Sequence, residues 1–232
     1  MLVAIPALSD NYIWCYSRDN LHALLIDPAT AEAVENFLAK SSLKLEAILV
    51  THNHADHTGG VAQLRKKYPH VPVYAPTEVG SKLATHLVDS GIHHTPYYTI
   101  HVLMTGGHTA GHISYLVDNH LFCGDILFSL GCGRVFTGDY AQMFASLQKI
   151  KQLPDDTIVC AAHEYTLSNL RFAQSVANSV ALTEYAKKIE QLRAEQRPTL
   201  PTTLGLEKAL NPFLRCENLE SFIALRQAKD KF

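Results

Sequence analysis

Thr51-His52-Asn53-His54-Ala55-Asp56-His57 sets three imidazoles and a carboxylate directly after the apolar run Ala47-Ile48-Leu49-Val50. Such a run reads as a strand buried on both faces, residues 45–51, and the loop that follows a strand is where binding and catalytic side chains concentrate. A lone histidine there is more often a solvated or packed ring. Four ligand-type side chains together point to a metal, because imidazole is the commonest metal ligand. In an extended chain His52, His54 and Asp56 share one side at i, i+2, i+4, and the turn into the next helix brings His57 back beside Asp56. A tetrahedral ion takes about four ligands, with one place kept for water in a hydrolytic centre, so this stretch nearly completes one ion.

Further donors point to a second ion. Gly107-His108-Thr109-Ala110-Gly111-His112 is a glycine-rich loop with two more imidazoles, Cys123-Gly124-Asp125 ends a strand in a carboxylate, and Ala161-Ala162-His163-Glu164 ends another in an imidazole. Each alone is more often structural; their weight comes from recurring at strand ends, which a layered α/β domain brings to one rim. Spacing does not choose between His108 and His112.

Working outward, the 232 residues fit one large domain with an appendage. Strands are expected at 11–17, 22–27, 45–51, 71–75, 99–104, 113–117, 120–123 and 157–162, with a tight turn at Asp118-Asn119. Helices are expected at 31–40, where Thr30 caps and Val34, Phe37 and Leu38 share a side, at the segment aligning Val61, Leu64 and Tyr68, and at that aligning Tyr140, Phe144 and Leu147. From Leu167 on, only helical patterns such as 182–195 and 217–229 are legible. An α/β metal-binding catalytic domain over 1–165 and a helical substrate-binding domain over 166–232 follow.

Composition excludes several classes. Twenty Lys+Arg against 22 Asp+Glu leave a net charge of −2, so no basic track offers itself to nucleic acid or anionic lipid. The five cysteines are odd in number and form no C-x-x-C pair, which speaks against a disulfide framework or a cysteine zinc site and for a reducing, cytoplasmic setting. No basic leader opens the sequence and no apolar run nears the roughly 18 residues of a membrane span. Cys123 and Cys132 have the ordinary fate of free cysteine, a small buried apolar role. No G-x-S-x-G elbow or P-loop occurs.

T-H-x-H-x-D-H at 51–57, G-H-T at 107–109, G-D at 124–125 and A-H-E-Y-T at 162–166 together resemble the metallo-β-lactamase superfamily. Within it the chain is similar to the glyoxalase II (hydroxyacylglutathione hydrolase) family, through S-D-N-Y-I-W at 9–14, G-C-G-R at 131–134, H-E-Y-T at 163–166, N-P-F-L-R at 211–215 and the stretch from Arg226 to Phe232. The resemblance covers essentially the whole chain. It implies a four-layer αββα sandwich with a C-terminal helical domain. It also implies two divalent ions, zinc before iron or manganese: one on His52, His54 and His108, the other on Asp56, His57 and His163, with Asp125 bridging both. His112 is then a supporting residue, and Asp56 and Asp125 are the catalytic carboxylates. Arg134, Tyr165, Arg226 and Lys229 match substrate-binding positions. Phe136 replaces a tyrosine that contacts glutathione in some relatives, and Gly106 replaces the usual proline.

Two cations roughly 3.5–4 Å apart can ionise a shared water and polarise a carbonyl, which makes a metal-held hydroxide the nucleophile. A thioester suits such a site, since its thiol, with a pKa of about 8.5, leaves without a strong acid. The resemblance then implies S-(2-hydroxyacyl)glutathione as the substrate, S-D-lactoylglutathione above all, taken by a monomer without nucleic-acid or membrane partners. The rivals are an iron oxidoreductase resembling the persulfide dioxygenases of the superfamily, a nuclease, for which the charge balance is wrong, and a non-enzymatic binding module.

Overall fold

The computed structural model describes residues 1–177 and 179–232. The chain opens with β1 (Leu2–Ala7), β2 (Asn11–Tyr16) and β3 (His22–Ile26), paired antiparallel in that order. Helix α1 (Ala31–Leu38) follows, its first turn capped by Thr30 Oγ1, which accepts the Ala33 N–H at 3.4 Å. Then come β4 (Lys44–Leu49), the single turn α2 (Ala55–Thr58), α3 (Val61–Lys67), β5 (Val73–Ala75) and β6 (His86–Leu87), which complete a six-stranded sheet in the order β1-β2-β3-β4-β5-β6. The second half supplies β7 (Gly91–His94), β8 (Thr99–Met104), β9 (Ile113–Val117), β10 (His120–Gly124), the hairpin β11 (Leu127–Phe128) and β12 (Gly131–Cys132), helix α4 (Tyr140–Lys151) and β13 (Ile158–Ala161). Val117 pairs with His120, so Asp118 and Asn119 form the expected two-residue turn, with Asp118 at φ 53°.

The tail holds α5 (Thr166–Val176), α6 (Val180–Ala194), β14 (Thr202–Thr203), α7 (Leu204–Leu210) and α8 (Leu219–Asp230). Contrary to the expectation of helices alone beyond Leu167, β14 adds to β13 and closes the second sheet in the order β14-β13-β10-β9-β8-β7. Two residues are too few to show alternation, which is why the pattern is silent there. Strand β1 was likewise not foreseen.

The layering follows from a period of two in strands buried on both faces. On β2, Tyr12, Trp14 and Tyr16 point between the sheets, where they meet Tyr115, Val117 and Leu121 of the second sheet. Ile13 and Cys15 point outward, under Val34 and Leu38 of α1 and Val61 and Leu64 of α3. Met143, Leu147 and Ile150 of α4 cover the other side, and Phe213 and Phe222 of the tail join the same cluster, which gives the αββα sandwich. Complete burial of a Leu, Ile or Phe is worth about 1.5–3 kcal/mol, so these faces dominate the stability.

Backbone bonds tie the two sheets at one rim. The Ile113 N–H donates to Thr51 O at 2.9 Å and the Tyr12 N–H to Ala162 O at 2.7 Å. At this rim β3 and β4 run parallel, as do β10 and β13, so the loops after β4, β10 and β13 converge there.

Candidate metal centre

Two groups of donor atoms lie at the rim, each within 4.8 Å: His52, His54, His108 and Asp125 in one, Asp56, His57 and His163 in the other. In the first, His54 Nδ1 stands 3.0 Å from His52 Nε2 and 3.1 Å from His108 Nε2, and Asp125 Oδ2 is 3.4 Å from His108 Nε2. In the second, Asp56 Oδ2 stands 3.5 Å from His57 Nε2 and 3.3 Å from His163 Nε2. Asp125 Oδ1 reaches that group too, 3.4 Å from His57 Nε2 and 3.3 Å from His163 Nε2. Donors about 2.0–2.1 Å from a tetrahedral ion stand roughly 3.3 Å from one another, so these separations fit one ion per group with Asp125 between them.

Local structure explains the partition and corrects one expectation. The chain does not stay extended through Asp56: it turns into α2 with His54 at its N-cap, which leaves His52 and His54 in the first group and swings Asp56 with His57 into the second.

Most of the rings are fixed from behind, which sets the tautomer and aims Nε2 inward. His52 Nδ1 meets Thr51 Oγ1 at 3.0 Å, His57 Nδ1 meets Asp27 Oδ2 at 2.9 Å, His163 Nδ1 meets Asp10 Oδ1 at 2.8 Å, and His108 Nδ1 donates to Arg134 O at 2.9 Å. Asn11 Nδ2 donates to Asp56 Oδ2 at 3.0 Å. Asp27 also accepts from the Thr51 N–H and hydroxyl. Sequence reasoning assigned no role to Asp10, Asn11 or Asp27; Asp27 did carry a signal, as a carboxylate ending the run His22-Ala23-Leu24-Leu25-Ile26.

His57 Nε2 and Asp125 Oδ1 are buried without a hydrogen-bond partner, as donors reserved for another atom would be. Burial resists protonation of His57 and His163, but Asp125 with Asp27 for the first, and Asp125 with Asp56 and Asp10 for the second, outweigh it; His163 rises to about 10. This half of the site therefore calls for positive charge, which a cation supplies. In the other half burial lowers the pKa of His52 and His108 and leaves neutral imidazoles, the form that ligates.

His112 does not join either group. Burial holds it neutral, with a pKa of about 3, and its Nε2 accepts the Asp125 N–H at 3.2 Å while Nδ1 meets Thr105 Oγ1 at 3.0 Å. Gly124, at φ 49°, is necessary beside it, since a Cβ there would lie 2.7 Å from His112 Nε2.

Above the donors opens a cavity of about 740 Å³, lined by His54, Asp56, His108, Asp125 and His163 at its floor and by residues of the hairpin and tail at its mouth. The four expected substrate residues all line it but differ in freedom. The Arg134 side chain is 65% exposed, and among the described residues its one ion pair is to Asp230, at 3.9 Å. Tyr165 stacks on His163 at 4.7 Å and 7°, and burial, then Asp10, Asp125 and Asp56, push its pKa up to about 12, so the hydroxyl stays protonated. Lys229 Nζ donates to Ser168 O at 3.3 Å and lies 5.2 Å from the rings of Phe172 and Phe232. Arg226 is 3% exposed and engaged within the protein: Nε and Nη2 donate to Asp230 and Nη1 to Cys132 O. Arg171 lines the cavity as well and was not foreseen.

Comparison with known proteins settles the family. A family model described as the metallo-β-lactamase superfamily matches residues 13–163, and one described as the hydroxyacylglutathione hydrolase C-terminus matches residues 164–232. The hydroxyacylglutathione hydrolase of Actinobacillus pleuropneumoniae serotype 3 (strain JL03) is 51% identical over 234 residues, covering 100% of this chain and 99% of that protein. The chain belongs to the hydroxyacylglutathione hydrolase family. Another member, from Haemophilus ducreyi, is 49% identical over the same span. Among solved structures, ETHE1 from Myxococcus xanthus superposes with a TM-score of 0.74 at 25% identity, covering 98% of this chain and 90% of that one. The BLEG-1 B3 metallo-β-lactamase gives 0.71 at 27%, covering 93% and 100%. Among the described residues no helix is long and apolar enough to cross a membrane.

Proposed function

We propose that the protein hydrolyses S-(2-hydroxyacyl)glutathione, chiefly S-D-lactoylglutathione, to glutathione and a 2-hydroxy acid, in that case D-lactate, as a step of methylglyoxal detoxification. The observation that carries this reading is the meeting of two donor groups on the floor of a cavity with cationic side chains at its mouth, in a chain 51% identical end to end to a protein named for this activity. His52, His54 and His108 would hold one divalent ion, Asp56, His57 and His163 the other, and Asp125 both. Ions held by these residues would supply a water that ionises near neutral pH and Lewis acidity for the thioester carbonyl. Asp56, held by Asn11, orients the attacking water.

Glutathione has two carboxylates and one ammonium, so it is met by cations at the mouth. Arg134 is free to pair with a carboxylate, Lys229 adds charge, and the Tyr165 hydroxyl remains a donor. Arg226 contributes by holding Cys132 O and Asp230 in place. The glutathione thiol leaves as thiolate, which asks for no strong acid. Zinc is the first expectation, and nitrogen and oxygen donors suit iron and manganese as well; the solved relative TTHA1623, at 25% identity and a TM-score of 0.65 over 92% of this chain and 99% of that one, is described in a di-iron-bound form. Five buried free cysteines accord with action in the cytoplasm, proposed here as a monomer.

Release of free thiol from S-D-lactoylglutathione by the metal-loaded protein, followed with a thiol reagent, tests the reading; no turnover at full metal content overturns it. Oxygen uptake with glutathione persulfide in place of thiol release would instead favour the rival iron oxidoreductase. A one-iron enzyme has no use for the Asp56, His57 and His163 group.

A further inference from the structure

The two donor groups are braced differently. Asp56, His57 and His163 of the second group each have a side-chain brace, from Asn11, Asp27 and Asp10 in turn. In the first group His54 has none: among the described residues its ring bonds only to His52 and His108, through Nδ1. Its position depends on the backbone of the 51–54 loop, and that of His108 depends in part on the 107–111 loop.

One side chain touches both loops. Glu78 sits on a 3-10 turn, Thr77–Val79, between β5 and β6, far in sequence from either. Its Oε1 accepts the Asn53 N–H at 3.3 Å and the Thr109 hydroxyl at 2.6 Å, and its Oε2 accepts the Gly111 N–H at 2.7 Å. Asn53 precedes His54, and Thr109 follows His108. The turn beneath Glu78 is itself fixed, since the Thr77 N–H and hydroxyl donate to Asp89 at 2.9 and 2.6 Å. Gly111 completes the fit: a Cβ there would lie 2.9 Å from Glu78 Oε2 and 3.1 Å from its Cγ and Cδ. Glu78 belongs to neither donor group, and among the described residues its hydrogen bonds go to Asn53, Thr109 and Gly111 and to no member of the second.

We propose that Glu78 is a positioning residue that fixes the spacing of His54 and His108 by clamping their two loops together, and so sets the affinity of the first metal position and not of the second. The proposal rests on the reading that the first group binds an ion. Groups that orient metal ligands in this way typically change metal affinity by about 10- to 100-fold when removed.

The test is Co²⁺ binding to demetallated protein, followed by absorption and by competition with a chelator. Wild type, E78A, E78Q and H163A are compared, together with E78A in the H163A background, where the first position is read alone. E78A is expected to weaken one of two Co²⁺ equilibria by about 10- to 100-fold, with the same loss in the H163A background. E78Q, whose amide oxygen can take the place of Oε1 and accept both the Asn53 N–H and the Thr109 hydroxyl, losing only the bond from the Gly111 N–H, is expected to recover most of it. Wild-type affinity at both positions in E78A overturns the proposal, as does equal weakening of both, or an E78Q no better than E78A. Should E78A fail to fold, E78Q alone decides: its first position must be weakened, by less than tenfold, with its second unchanged. Absence of Co²⁺ binding to the wild type would instead sink the metal reading itself, a separate outcome.

Discussion

At the floor of the cavity His52, His57 and His163 are at most 3% exposed and braced from behind, whereas at its mouth Arg134 is 65% exposed and Phe136 64%. The floor is made by loops that follow buried strands, where sheet pairing and side-chain braces leave a ring one orientation. The mouth is made by long side chains on a hairpin and a helix, and its order comes from below: α7 grips the hairpin through Glu207, which accepts the Leu130 N–H at 2.8 Å, and Asn211, which donates to Phe128 O and Gly131 O at 3.0 Å. The difference separates chemistry from recognition. A change at the floor should abolish turnover, and one at the mouth should alter only how tightly substrate is held.

Asp125→Ala should break the floor most severely. It removes the oxygens facing both donor groups, so both ions and several kcal/mol of charge stabilisation go, a loss of rate on the order of 10³-fold or more. Elemental analysis beside the thiol-release rate checks it. The neighbouring His112→Ala is the contrast: it deletes the acceptor of the Asp125 N–H but no donor of either group, so both ions should remain at saturating metal. Equal metal loss in the two variants would mean that His112 had been wrongly set apart.

Arg134→Ala sharpens the comparison from the other side. Its guanidinium is exposed and its one ion pair among the described residues is the long one to Asp230, so the stability change should be small. Loss of one charged hydrogen bond to a carboxylate, about 1.5–3 kcal/mol, should raise KM by roughly tenfold or more and leave kcat within about twofold. A fall in kcat at unchanged KM would show that Arg134 acts on the reacting centre.

The floor was legible in the sequence because its donors crowd at strand ends: His52, His54, Asp56 and His57 behind one apolar run, Asp125 and His163 behind two others. Their allotment to two groups was less so, since only the onset of α2 at Ala55 decides which way Asp56 points. The mouth was read only in part. Arg226 has the sequence context of a surface arginine on the last helix, and its burial depends on where the hairpin places Cys132 O. Glu78 carried no local signal at all, because its partners Asn53 and Gly111 lie 25 and 33 residues away. Two-residue β14 is a strand only because β13 is beside it.

The rim where the sheets meet has a consequence for endurance as well as reactivity. His52 and His54 hang from the first sheet while His108 and Asp125 hang from the second, so an ion gripped by all four would rivet the halves of the sandwich together. Ligation then adds to the resistance of the native state by mass action. A cell starved of the metal would hold a looser molecule as well as an idle one, and stripping the metal with a chelator should lower the melting temperature; an unmoved transition would mean that no such rivet exists.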